Sequence, residues 1–75
     1  MCHVVVVYSD GSFREFYNIN KIEFYENSEY KTLEGSDLLT YRYRLDNYTY
    51  HLFSDNGAFS VSISHVKSFE VTLEN

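Results

Sequence analysis

Apolar residues recur with a period of two along most of the chain, and no window carries the i, i+3, i+4, i+7 spacing of an amphipathic helix over three turns. The pattern predicts an all-β chain. Its clearest strand sets Phe59, Val61 and Ile63 against Ser60, Ser62 and Ser64, so that one face is apolar and the other carries hydroxyls. Val4 to Val7 are apolar on both faces, as expected of a central strand or of one covered by another subunit.

Turn residues divide the pattern further. Ser9-Asp10-Gly11-Ser12 separates the valine run from residues 13–17, and the Asp-Gly pair supplies the positive φ that a tight connection needs, which predicts a hairpin over residues 3–17. Asp46-Asn47 lies between residues 39–45 and 48–53 and predicts a second hairpin, with Tyr43 facing Tyr50, Arg42 facing His51 and Arg44 facing Thr49. Ser54-Asp55-Asn56-Gly57 leads into a strand over 59–64. Residues 26–37 are polar, contain Gly35 and have the weakest alternation; they read mostly as loop, with an irregular edge or one helical turn as the alternatives.

The two halves echo each other. Residues 6–13 resemble residues 52–59, and Ile19 to Phe24 resemble Val66 to Val71, at offsets of 46 to 47. Each half would be a hairpin followed by a short strand. Six to seven short antiparallel strands with few exposed edges fit a small SH3-like barrel or a compact two-layer sandwich.

Length changes the picture next. A 75-residue chain is one domain, residues 1–75, and has little room for an enclosed active site. Eleven acidic against six basic residues give a net charge of −5, which disfavours non-specific attraction to nucleic acid or anionic lipid and favours a positively charged partner. The single cysteine, Cys2, cannot form an internal disulfide, so a cytoplasmic protein is expected, with Cys2 a bystander. The start has neither the basic end nor the apolar length of a signal peptide, and no apolar run is long enough to span a bilayer, so no membrane association is expected.

Candidate chemistry is sparse. Cys2, His3, His51 and His65 lack the paired spacing of metal ligands, and no P-loop, nucleophile elbow or paired-carboxylate cleft is present, so neither a metal, a cofactor nor an enzymatic activity is expected. Arg42, Arg44 and His51, with Thr49, share one face of the expected second hairpin and could hold an anionic ligand such as a nucleotide, in an oligomer. The opposing reading is that the arginines pair with nearby carboxylates on a solvated sheet face.

A second set is acidic. Glu23, Glu26, Glu29, Glu34 and Asp37 are interleaved with Tyr25 and Tyr30 and have Lys31 as the basic residue among them. Carboxylates and phenols together imitate a nucleic-acid surface and could fill a basic groove on another protein; a solvated acidic loop is the plainer reading. Direct nucleic-acid binding is not expected, because no positive track accompanies the tyrosines. Six Phe and eight Tyr exceed what so small a core can enclose, which points to a partner or a homodimer. The expectation is a non-enzymatic binding module, most specifically a small acidic inhibitor of the phage or mobile-element counter-defence type, with an anion-binding oligomer or a structural subunit as the alternatives.

Overall fold

In a computed structural model, residues 1–46 and 49–74 are described. Among these residues seven strands form two antiparallel sheets packed as a two-layer sandwich, one of the two expected architectures. The strands are β1 (Cys2–Tyr8), β2 (Phe13–Ile19), β3 (Lys21–Glu26), β4 (Glu29–Glu34), β5 (Thr49–Ser54), β6 (Gly57–Ser62) and β7 (Val66–Leu73), with a single helical turn, α1 (Asp37–Thr40), after β4. One sheet runs β2-β1-β7 and the other β4-β3-β5-β6.

The valine run is the central strand of the first sheet. Val4 and Val6 are fully buried, while Val5 and Val7 are half-buried on the outer face. The expected hairpin joins β1 to β2. Gly11 donates its N–H to the Tyr8 carbonyl at 3.0 Å, Tyr8 donates to the Ser12 carbonyl at 2.8 Å, and Gly11 takes a φ of +90°, the left-handed conformation that closes a three-residue connection. Asn18, at φ +60°, makes a bulge near the end of β2.

The chain changes sheets twice. Asn20 alone carries it from β2 to β3, its N–H held by the Phe53 carbonyl at 2.9 Å, and Ile63-Ser64-His65 carry it from β6 to β7. Each half is therefore a hairpin whose third strand crosses to the other half's hairpin. Matching β1, β2 and β7 with β5, β6 and β3 turns one sheet order into the other, β2-β1-β7 into β6-β5-β3. The registers agree as well. Val5 opposite Glu70, Val6 opposite Phe69 and Val7 opposite Ser68 correspond to His51 opposite Glu23, Leu52 opposite Ile22 and Phe53 opposite Lys21. The faint sequence echo is thus a pseudo-two-fold relation in the fold, with β4 and α1 inserted between the halves.

Two expectations are corrected. Residues 26–37 are not mostly loop: β3 and β4 form a hairpin around Asn27-Ser28, both at positive φ (52° and 67°) as a type I′ turn demands, and β4 is followed by α1. Residues 39–45 are not a strand. β5 is already paired on one side with β3 and on the other with β6, so no edge remains for that segment. Asn47 and Tyr48, which belong to the expected second hairpin, lie outside the described residues.

The inner-outer alternation of that segment nonetheless survives without a ladder. Tyr41 and Tyr43 pack against the core while Arg42 and Arg44 face solvent. Side chains replace the missing strand bonds. Tyr50, fully buried on β5, donates its hydroxyl to the Arg44 carbonyl at 2.8 Å and accepts the Arg44 N–H at 2.9 Å, and the Tyr43 hydroxyl donates to the Leu38 carbonyl at 2.6 Å. Phe24, Tyr41, Tyr43, Tyr50 and Phe69 form an aromatic cluster between the sheets, with centroid spacings of 4.7 to 5.7 Å.

Candidate functional site

The β3–β4 hairpin sorts the acidic residues by strand parity. Lys21, Glu23 and Tyr25 on β3 and Tyr30, Thr32 and Glu34 on β4 lie on the outer face, because they alternate with buried Ile22, Phe24 and Leu33. Tyr25 and Tyr30 are directly opposite, 62% and 47% exposed, with their rings edge to face at 4.7 Å. Burial cannot explain two neighbouring phenols standing in water. Thr49 and His51 of β5 and Ser60 of β6 continue the same face, where His51 Nδ1 and Ser60 Oγ are 2.9 Å apart.

Glu23 is the hub of this face. It accepts hydrogen bonds from the Tyr30 hydroxyl at 2.8 Å and the Thr32 hydroxyl at 3.3 Å, with Lys21 Nζ at 3.7 Å. The Tyr30 bond, ahead of the Lys21 charge, holds its carboxyl below the ordinary range, and the same bond pushes the Tyr30 phenol up. The carboxylate therefore orients Tyr30 and stays charged.

Glu26 belongs elsewhere. It projects to the core side, where it accepts a short hydrogen bond from the Tyr41 hydroxyl and pairs with Lys31 Nζ at 3.0 Å. The Tyr41 bond lowers its carboxyl; desolvation and that bond raise the Tyr41 phenol strongly. Glu26 is thus a clasp between the hairpin and the segment after α1. Glu29, opposite Glu26, is exposed, as are Glu34 and Asp37, the last on α1. Of the seven residues in the acidic set, Glu23, Tyr25, Tyr30 and Glu34 share the outer face, Glu29 has the strand parity of Glu26 but is exposed near the turn, Asp37 is exposed on α1 beyond β4, and Glu26 does not contribute.

The expected anion site is not gathered. Arg42 and His51 do not face each other, because the second hairpin that would align them does not form. Arg44 closes its guanidinium on Asp46, with Nε to Oδ1 at 2.9 Å and Nη2 to Oδ2 at 2.6 Å, and this bidentate bond holds the Asp46 carboxyl low. Among the described residues, no group of three or more His, Cys, Asp or Glu could hold a metal ion. No helix among them is long and apolar enough to cross a membrane.

Cys2 is 3% exposed, and burial pushes its thiol pKa up, so it is a poor nucleophile. It borders a shallow apolar cavity of about 370 Å³ formed with Ile19, Leu38, Leu39 and Leu73, which sequence reasoning did not anticipate. The contribution of Leu38 and Leu39 depends on α1, a helical turn that the sequence offers only as an alternative for residues 26–37. Compared with protein families, curated proteins and solved structures, the chain matches none.

Proposed function

We propose that this protein is a non-enzymatic binding module that acts as a small acidic inhibitor, its β3–β4 hairpin occupying a basic groove in which a target protein holds nucleic acid. The observation that carries this reading is the exposed Tyr25–Tyr30 pair on a hairpin whose outer face also carries the carboxylates of Glu23 and Glu34, with Glu29 exposed near its turn and Asp37 exposed on α1. Rings beside carboxylates offer a basic groove the same two contacts as nucleobases beside phosphates: flat apolar area and negative charge. The strands fix the rings in advance, so little side-chain entropy is lost on docking. Net charge −5 adds long-range attraction to a cationic target.

The test uses tagged protein to capture partners from nuclease-treated cell lysate. The variant is Glu29→Lys, Glu34→Lys and Asp37→Lys, with Glu26 left intact because it clasps Tyr41 and Lys31. A nucleic-acid-binding protein recovered by the wild type, lost by the variant and displaced by added nucleic acid is the expected result. Equal recovery by both, recovery that nucleic acid does not displace, or no recovery at all refutes the reading.

A further inference from the structure

We propose that β6 is a dimerisation edge, at which two copies of this chain pair their β6 strands antiparallel about a two-fold axis at Ser60. The inference is independent of the inhibitor reading, which concerns the opposite edge of the same sheet. Four strands border the two sheets, and three of them are guarded against pairing. β2 is broken by the Asn18 bulge and carries Arg14 and Glu15; β7 shifts register near Lys67 and also carries Glu70. β4 carries Glu29 and Glu34 and turns Lys31 to the core side against Glu26. Two β4 strands meeting would bring the glutamates of both copies to one seam.

β6 has none of these guards. It pairs with β5 from Thr49↔Ser62 to Ser54↔Gly57 without a register break, and residues 57–63 contain neither a charged residue nor proline. Two copies of a chain of net charge −5 repel each other wherever carboxylates meet, so an uncharged edge is where they can approach. The backbone pattern then sets the register. The two-residue connection Asp55-Asn56 makes Ser54 and Gly57 a hydrogen-bonded pair, and alternation makes Leu52–Phe59 and Tyr50–Val61 bonded pairs as well. The backbone N–H and C=O groups of Ala58, Ser60 and Ser62 therefore point out of the sheet.

Centring the axis on Ser60 uses all of them: Ser60 bonds Ser60 of the partner subunit, and Ala58 bonds Ser62 of the partner subunit, in both directions. Small side chains line the outer face of this seam. On the core side Phe59, 41% exposed, comes opposite Val61 of the partner subunit across the seam. The pairing is isologous, so it consumes both edges and stops at two copies.

Sedimentation of the wild type over a concentration series is the first experiment, with amide hydrogen exchange read at each concentration. A dimer is expected, with the Ala58, Ser60 and Ser62 amides gaining protection as it forms and the Tyr30, Thr32 and Glu34 amides gaining none. Ser60→Lys with Ser62→Lys should sediment as a monomer with an unchanged circular dichroism spectrum, while Thr32→Lys on the β4 edge should still dimerise. A wild type that stays monomeric throughout, protection at any edge other than β6, or a double-lysine variant that still dimerises overturns the proposal. Should the double-lysine variant fail to fold, exchange on the wild type decides alone.

Discussion

Tyr50→Phe isolates the device that holds residues 41–46 without a strand partner. The ring is fully buried and stays in place, so the aromatic packing with Phe24 and Phe69 is kept and the hydroxyl alone is lost. With it go the bonds to the Arg44 N–H and carbonyl. Each neutral hydrogen bond contributes about 0.5–1.5 kcal/mol net, so the pair contributes about 1–3 kcal/mol. Arg44 sits on an exposed segment where water can replace the hydroxyl, which places the expected loss near the middle, about 2 kcal/mol. For a chain of 75 residues, total stability is about 4–11 kcal/mol, so the variant should fold but melt about 8–16 °C lower. Thermal and urea unfolding followed by circular dichroism measure the loss. Amide exchange at Arg44 locates it, because that N–H should exchange faster while Val4 and Val6 at the centre of the first sheet keep their rank. A loss below about 0.5 kcal/mol, the range of an ordinary surface change, would refute the clasp.

Three further outcomes follow from the same packing. Ser28→Gly removes a side chain from a left-handed position of the β3–β4 turn and should raise stability by about 1 kcal/mol, read as a higher urea midpoint at constant slope; a lowered midpoint would contradict the type I′ geometry. Leu52→Ala empties a fully buried site between Ile22 and Phe59 and should cost about 2–5 kcal/mol, read as a urea midpoint lowered more than by Tyr50→Phe or by any surface change; a loss below about 1 kcal/mol would contradict the packing. Hydrogen bonding holds the Glu23 and Glu26 carboxyls below their ordinary range in the folded chain, so their contribution is complete above that range and lost as pH falls through the lowered folded values. Urea midpoints across an acid pH series should fall accordingly, and Glu26→Gln should flatten that fall.

Legibility in the sequence depended on whether burial or pairing fixed an element. The valine run and its Asp10-Gly11 connection were readable because four consecutive apolar residues have few destinations other than the middle of a sheet. The Phe59-Val61-Ile63 alternation was equally direct. β4 reads mostly as loop, with an edge strand only as an alternative, because Leu33 is its one buried residue and period two hardly appears in its sequence. Asn27-Ser28 was the signal available, two residues that tolerate a left-handed turn, and a hairpin there would have followed from it. Residues 39–45 failed in the opposite sense. Their alternation is real, but whether an alternating segment becomes a strand depends on a free neighbouring edge, and β3 and β6 had taken both edges of β5. The acidic set was found as a cluster in sequence and divided by the fold, because Glu23 and Glu26 differ by an odd number and therefore face opposite ways.

The two proposed surfaces stand at opposite edges of one sheet, and their combination constrains how a partner is bound. Pairing at β6 gives a continuous order β4-β3-β5-β6-β6-β5-β3-β4 across two copies. The β4 strands are then seven spacings apart, about 34 Å at the usual interval between neighbouring strands. Twist matters more than distance. At about 20–25° per neighbouring pair, seven intervals turn the sheet normal through about 140–175°, so the two Tyr25–Tyr30 pairs face nearly opposite directions. No single flat groove can reach both, and avidity for one target molecule is excluded by geometry rather than by affinity. The complex should therefore contain one target per chain, and the monomeric Ser60→Lys, Ser62→Lys variant should bind with the same affinity per site as the dimer. Native mass spectrometry gives the ratio and titration calorimetry the site affinity. One target bound across two chains would show that the hairpins converge, which a twisted sheet joined at β6 does not permit.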